Sequence, residues 1–301
     1  MAESAAVRVG VAGWDYPDWK GILYPARKPR GFDPVRFLAR FLDVIEINST
    51  FYHPARAEIV QRWARRVEDL QDFRYTAKLW RRFTHERKTA WSLADVKAVT
   101  DGFDVLNKAG RLDAVVIHFP WSFRNERSSR EWLADLIKTF DQYSLVVEVR
   151  HASWNQVEFY EWLRERGVGL VNVDQPLFSK SIKPSVRSTR QTGYVRVHGR
   201  NFTDWFRQGA GRDARYNYTY EAHELESWAD RAEQIAADHV TDKVEVVFNN
   251  HYKAQAVVNA IQFKHLLTGD PQPAPAMLFS HYADALENHA FPVDEANALV
   301  I

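Results

Sequence analysis

The sequence predicts an α/β fold, a (β/α)8 barrel in a single domain with an appended C-terminal tail, and three observations carry that expectation. Eight short, β-branched apolar runs recur along the 301 residues, and helix-period segments separate most of them. After the first run no Gly-x-Gly-x-x-Gly turn follows, only the single Gly13 in Val11-Ala12-Gly13-Trp14. Strands buried on both faces and joined by helices imply a parallel sheet. Eight such units over about 250 residues match a closed barrel, whereas the rival doubly wound sheet lacks its dinucleotide fingerprint.

In order, the strands are expected at 8–12, 44–48, 73–78, 114–119, 145–150, 169–174, 194–198 and 244–248. Helices are expected at 34–42, 57–67, 91–109, 129–140, 157–166 and 222–236. Asp33 before Pro34 is an N-cap followed by the favoured first-turn proline, and Gly110 and Gly167 stand where helices should end. Two stretches exceed a minimal barrel. Residues 199–220, rich in Gly and aromatics, read as a lid or a disordered loop. The Gly/Pro-bearing segment 269–275 closes the domain, taken as 7–268, and 269–301 is the tail. No internal repeat or low-complexity tract interrupts the pattern.

Composition narrows the function classes. A hydrophobic fraction of 46% and a charged fraction of 26% suit a globular chain, and 11 Trp suit a deep core or a stacking surface. Net charge of +1 argues against mass binding of polyanions but permits a local basic patch. The absence of Cys excludes disulfides, thiolate metal sites and a Cys nucleophile. The start lacks the character of a secretory signal and no apolar run is long enough to span a bilayer, so a cytoplasmic protein without membrane contact is expected.

Chemistry concentrates at the strand ends. Glu46 lies between isoleucines, where a carboxylate is costly unless paired, coordinated or used. By alternation Glu46 shares a face with Asn48, Glu148 with Arg150, and Arg196 with His198 and Arg200. In a barrel such side chains collect at the C-terminal mouth, and the candidate ring adds Lys78, His118, Asn172, Asp174 and Asn249.

Several separated motifs in one order extend this reading. They are 13–25 (GWDYPDWKGILYP), 46–52 (EINSTFY), 73–78 (FRYTAK) with Thr84-His85, 147–154 (VEVRHASW), 194–200 (YVRVHGR) and Phe248-Asn249-Asn250 with 256–260. Across residues 7–267 they resemble the YecE-like family, a domain of unknown function. The resemblance implies a TIM-barrel-like fold distantly like the sugar isomerase and endonuclease IV barrels, and it implies no activity. The chain departs from the family pattern at His118, where Gln is common, and at His251, where an acidic residue is frequent.

Glu46, Glu148 and His198 are therefore the candidate catalytic residues, a carboxylate pair with a proton shuttle suited to a hydrolase or isomerase. Candidate ligand-binding residues are Trp14, Asn48, Tyr52, Lys78, His85, Arg150, Trp154, Asp174, Arg196, Arg200 and Asn249. Guanidinium forks and Lys78 suit a small anionic or phosphorylated, polyhydroxylated ligand, with the rings available for stacking. Glu46, Glu148, Asp174 and His198 offer divalent-ion ligands, but no local metal signature is present and nearby cations oppose one, so no metal is assigned and the cofactor stays open. Two further readings remain. The basic and aromatic run 78–88 with the 199–220 loop suits a nucleic-acid-binding or phosphodiester-cleaving protein, and a non-enzymatic scaffold would use the tail as an interaction arm.

Overall fold

The computed structural model describes residues 5–294. Eight parallel strands close into a barrel in chain order: β1 Ala6–Ala12, β2 Val44–Ile47, β3 Arg74–Lys78, β4 Leu112–His118, β5 Leu145–Glu148, β6 Gly169–Asp174, β7 Thr192–Val197 and β8 Lys243–Phe248. β8 pairs back onto β1, with Val247 opposite Gly10, and Gly10 in turn faces Val44 of β2. A Cβ at Gly10 would stand 1.7 Å from the Val44 carbonyl oxygen, so only glycine permits this approach. The expected fold class is the observed one.

Helices Pro34–Leu38, Ala57–Arg66, Leu93–Lys108, Arg127–Thr139, Val157–Glu165, Ala222–Ala236 and Gln255–Thr268 cover the barrel. Asp33 caps the first by accepting from the Val35 and Arg36 N–H groups, and Gly110 and Gly167 follow their helices at φ +65° and +62°. The helix foreseen at 34–42 stops at Leu38, and the connection from β6 to β7, where no helix was expected, contains none. There Asn172 replaces helical order. Its amide donates to the Arg187 and Tyr194 carbonyls and accepts from the Ser185 hydroxyl and the Arg187 N–H.

Two apolar layers hold the barrel. Inside it, Val44, Val116, Val146, Val171, Val173, Tyr194 and Val247 pack with Ala12 and Ala114. Outside, the larger cluster between strands and helices includes Trp19, Val115, Val147, Trp154 and Trp228. Since side chains alternate along a strand, these layers state which neighbours point inward. Glu46, Glu148 and Arg196 follow Val44, Val146 and Tyr194 into the barrel, whereas Asn172 and Asp174 point out because Val171 and Val173 point in.

At the N-terminal end an ionic cluster closes the barrel. Arg8 Nη1 lies 2.6 Å from Asp113 and 3.3 Å from Glu245, and Lys243 Nζ lies 2.9 Å from Asp113. Burial and the adjacent Asp113 carboxylate push the Glu245 carboxyl well above its ordinary value.

After Gly269, β9 Gln272–Pro275 and β10 Ala290–Val293 form a parallel pair around the helix Ala276–Leu286. Ala274, Leu278 and Leu286 are fully buried in the main outer cluster, and Gln262 Nε2 donates to the Ala285 carbonyl at 2.7 Å. The described part of the expected tail is thus packed on the barrel, while 295–301 lies outside the described residues. Among the described residues no helix is long and apolar enough to cross a membrane.

Candidate active site

β2, β5 and β7 bring Glu46, Glu148 and Arg196 to one level just below the C-terminal mouth, all three fully buried. Arg196 bridges the carboxylates, with Nη2 2.5 Å from Glu46 Oε1 and Nη1 2.6 Å from Glu148 Oε2. The other oxygen of Glu46 accepts from the Tyr194 hydroxyl at 3.0 Å, and that hydroxyl lies 3.0 Å from Thr76 Oγ1. Glu148 Oε1 meets Arg150 Nη2 at 2.8 Å and His198 Nε2 at 3.1 Å, with His118 Nε2 at 3.5 Å. Lys78 Nζ stands 3.6 Å from Glu46 Oε1.

Protonation follows from this enclosure. Burial works against the Glu148 charge, but the Arg196 and Arg150 guanidiniums outweigh burial and hold it well below the carboxylate range. Burial, then Arg150, drives His198 down to about 3, so its imidazole is neutral. Asn249 Nδ2 lies 3.0 Å from His198 Nδ1, while His198 Nε2 lies 3.1 Å from Glu148 Oε1 and 3.0 Å from Arg150 Nη2. His118 is held neutral by burial as well. Burial, then the Arg196 charge, lowers Lys78 to about 8.

Above this floor opens a cavity of about 600 Å³, lined by Trp14, Tyr16, Asn48, Phe51, Tyr52, Lys78, His118, Arg215, Tyr216, Asn249 and His251. Tyr16 stacks on His251 with ring centres 4.2 Å apart, and Tyr216 comes within 5.1 Å of the same imidazole. The 199–220 segment folds into the short helices Phe202–Trp205 and Arg212–Arg215 and sets Ala210, Arg215 and Tyr216 at the cavity wall.

The structure therefore gathers Glu46, Lys78, Glu148, Arg150, Arg196, His198 and Asn249 at the mouth, with Trp14, Asn48 and Tyr52 around it. His85 stands behind His118 at a ring separation of 5.3 Å, bonded to Thr84 Oγ1 and lowered to about 4 by burial, then by Arg150. Three sequence candidates lie elsewhere. Asp174 faces the helix layer, where it binds Arg200 Nε at 2.9 Å and the Tyr220 hydroxyl, and Arg200 continues to Glu224 at 2.6 Å. Burial raises the Asp174 carboxyl despite Arg200. Trp154 is packed beside Phe123, donating its indole N–H to the Phe123 carbonyl at 2.8 Å.

The three arginines of the basic run 78–88 are engaged by their own chain. Arg81 pairs with Glu86 at 2.8 Å, Arg82 donates to the Glu86, Thr89 and Ala90 carbonyls, and Arg87 lies over the Phe123 ring. Among the described residues no three His, Asp or Glu side chains are placed to hold a metal ion. The Glu46 and Glu148 oxygens face guanidinium, ammonium, hydroxyl or imidazole groups instead.

Sequence reasoning passed over Tyr194 and Thr76, although the parity that selects Arg196 and Lys78 places both on the same inward face. Tyr216 was among the loop aromatics expected to include pocket-lining rings, whereas Arg215 carried no signal, because only the fold of the 199–220 segment aims it at the cavity.

Comparison with known proteins agrees with the architecture. Residues 8–278 match the family described as protein of unknown function DUF72. The UPF0759 protein YunF of Bacillus subtilis (strain 168) is 24% identical over 274 residues, spanning 87% of this chain and 94% of its own. The crystal structure of a DUF72 family protein from Thermotoga maritima is 31% identical, with a TM-score of 0.74 over 87% of this chain and 99% of that one. One from Enterococcus faecalis, 21% identical, superposes with the same TM-score over 87% and 95%. The resemblance seen in the motifs holds at this level, and the chain belongs to the DUF72 family.

Proposed function

We propose that the mouth binds a small anionic, polyhydroxylated ligand, a phosphorylated or carboxylated sugar, and acts on it as an isomerase or hydrolase. One observation carries the reading: the buried floor holds a surplus positive charge. Arg196 and Arg150 already meet Glu46 and Glu148, both nearby imidazoles are neutral, and Lys78 is left over as a cation facing the cavity. A ligand anion would compensate that charge where water is excluded. Trp14, Tyr16 and Tyr216 supply ring faces for a sugar, and Asn48 and Asn249 supply amides for its hydroxyls.

Within this reading the carboxylates change role. Glu148, kept ionised by its neighbours, is a weak proton donor, and with Glu46 it fixes the guanidinium forks instead. Lys78 titrates closest to working pH and is the better proton-transfer group. A nucleic-acid ligand is less favoured, since Arg81, Arg82 and Arg87 are engaged within the chain.

Thermal unfolding against a panel of sugar phosphates, sugar acids and neutral sugars tests the proposal. At 100 times its Kd a ligand stabilises by about 2.7 kcal/mol, which for 301 residues raises Tm by about 4 °C. At least one anionic member should reach that shift in the wild type and a smaller one in Asn249→Ala. Equal, negligible shifts from charged and neutral members would refute it.

A further inference from the structure

We propose that Lys78 is a carbonyl-capturing nucleophile, which holds an open-chain aldose or ketose of the phosphorylated or carboxylated class as a protonated imine. The inference rests on the ligand reading above and adds a covalent step to it.

Lys78 is not needed where it stands. Glu46 already receives Arg196 on one oxygen and the Tyr194 hydroxyl on the other, and Lys78 Nζ, at 3.6 Å, is beyond hydrogen-bond reach of either. Among the described residues Nζ has no hydrogen-bond acceptor, and it stands 5.8 Å from the centre of the Phe51 ring. The charged and titratable groups facing it are Glu46 from β2, Glu148 and Arg150 from β5 and its loop, Arg196 from β7, His118 from β4 and the nearby His85. Two carboxylates and two guanidiniums balance, and the imidazoles are neutral. Loss of the lysine proton therefore removes the one unbalanced charge, and with a value near 8 about a tenth of the amine is free base at pH 7.

A second observation points into the same cavity. Neither ring nitrogen of His118 has a hydrogen-bond partner, although the side chain is largely buried and lines the cavity beside Lys78. A neutral imidazole offers one donor and one acceptor. It is placed to bond the oxygen of a captured carbonyl and to pass its proton on.

In the step itself the amine lone pair attacks the carbonyl carbon, the C–N bond forms, and the π electrons move to oxygen, which takes a proton released by the nitrogen. The carbinolamine then loses its hydroxyl, protonated through His118, as water, and the nitrogen lone pair completes the C=N bond. In sum, one ammonium and one carbonyl give one protonated imine and one water, with charge conserved. The imine makes the adjacent C–H acidic, which is what an isomerisation requires. Water hydrolyses it to release product and amine.

The test incubates the whole chain with glyceraldehyde 3-phosphate at pH 8 and reduces with sodium cyanoborohydride, followed by intact-mass and peptide mapping. One adduct on the Lys78 peptide is expected, at least tenfold lower in Lys78→Arg and suppressed by glycerol 3-phosphate, which offers the same anion without a carbonyl. Labelling should rise with pH through about 8. Adducts spread equally over other lysines in the wild type and in Lys78→Arg would overturn the inference. If glycerol 3-phosphate raises Tm but Lys78 is not trapped, the imine fails while the ligand reading stands; if neither occurs, both fail. Lys78→Met, with its fold checked by circular dichroism, repeats the comparison should Lys78→Arg not fold.

Discussion

Arg196→Met probes the floor most directly, since one guanidinium holds two fully buried carboxylates at 2.5 and 2.6 Å. Removing one partner of a buried ion pair costs about 3–5 kcal/mol, chiefly through the charge left behind. Here Glu46 keeps Tyr194 and Lys78, and Glu148 keeps Arg150, so a loss of about 4 kcal/mol at pH 7 is expected, a fall in Tm of about 6 °C for 301 residues. The loss should depend on pH. In the wild type the folded-state value of Glu148 is depressed, so its stabilisation is present above the unfolded value of 4.5 and lost as pH falls through the folded one. Without Arg196 a single guanidinium, that of Arg150, opposes the burial of Glu148, Lys78 standing 3.6 Å off on the Glu46 side, so the Glu148 value rises and the variant gains less than the wild type as pH rises. The gap between the two proteins therefore widens from pH 5 to pH 7. Urea unfolding followed by far-ultraviolet circular dichroism at both pH values measures it. A gap under about 1 kcal/mol at pH 7, well below the buried-pair range, or one independent of pH, would refute the reasoning.

Two further predictions concern single groups. Lys78→Met should stabilise the protein at pH 7 by on the order of 2–3 kcal/mol, since a lysine lowered from 10.5 to about 8 is destabilising while protonated and relieved as pH rises through 8; equal urea midpoints for variant and wild type at pH 7 would contradict this. Glu245 retains in the native state a proton that the unfolded chain loses above 4.5, so wild-type stability falls by about 1.4 kcal/mol per pH unit between the two values. Glu245→Gln should gain on the wild type as pH rises above 5, and a constant difference in chemical-denaturation free energy would count against the assignment.

The barrel was legible because β-branched runs and helix periods alternate in a way few folds share. Much of the site was legible too, since alternation groups Glu46, Glu148, Arg196 and His198 without any structure. Asp174 shows where that logic stops. A strand buried on both faces is apolar on both, so alternation pairs residues but does not state which set faces the barrel. β6 puts Val171 and Val173 inside, and Asp174 belongs to the helix layer with Tyr220 and Glu224. Trp154 failed differently, because a tryptophan after a strand fills a gap between strands and helices as readily as it lines a mouth. Arg215 and Tyr216 depend on a long loop whose path no periodicity encodes.

The apolar belt of Val44, Val116, Val146, Val171, Val173 and Val247 lies between the mouth and the ionic cluster at the other end. It leaves the barrel with one door. Whatever enters beneath Tyr216 must leave the same way, so a second molecule cannot follow until the first has gone. Within the proposed reading, entry and release would share this one opening, which Ala210, Arg215 and Tyr216 of the 199–220 segment border.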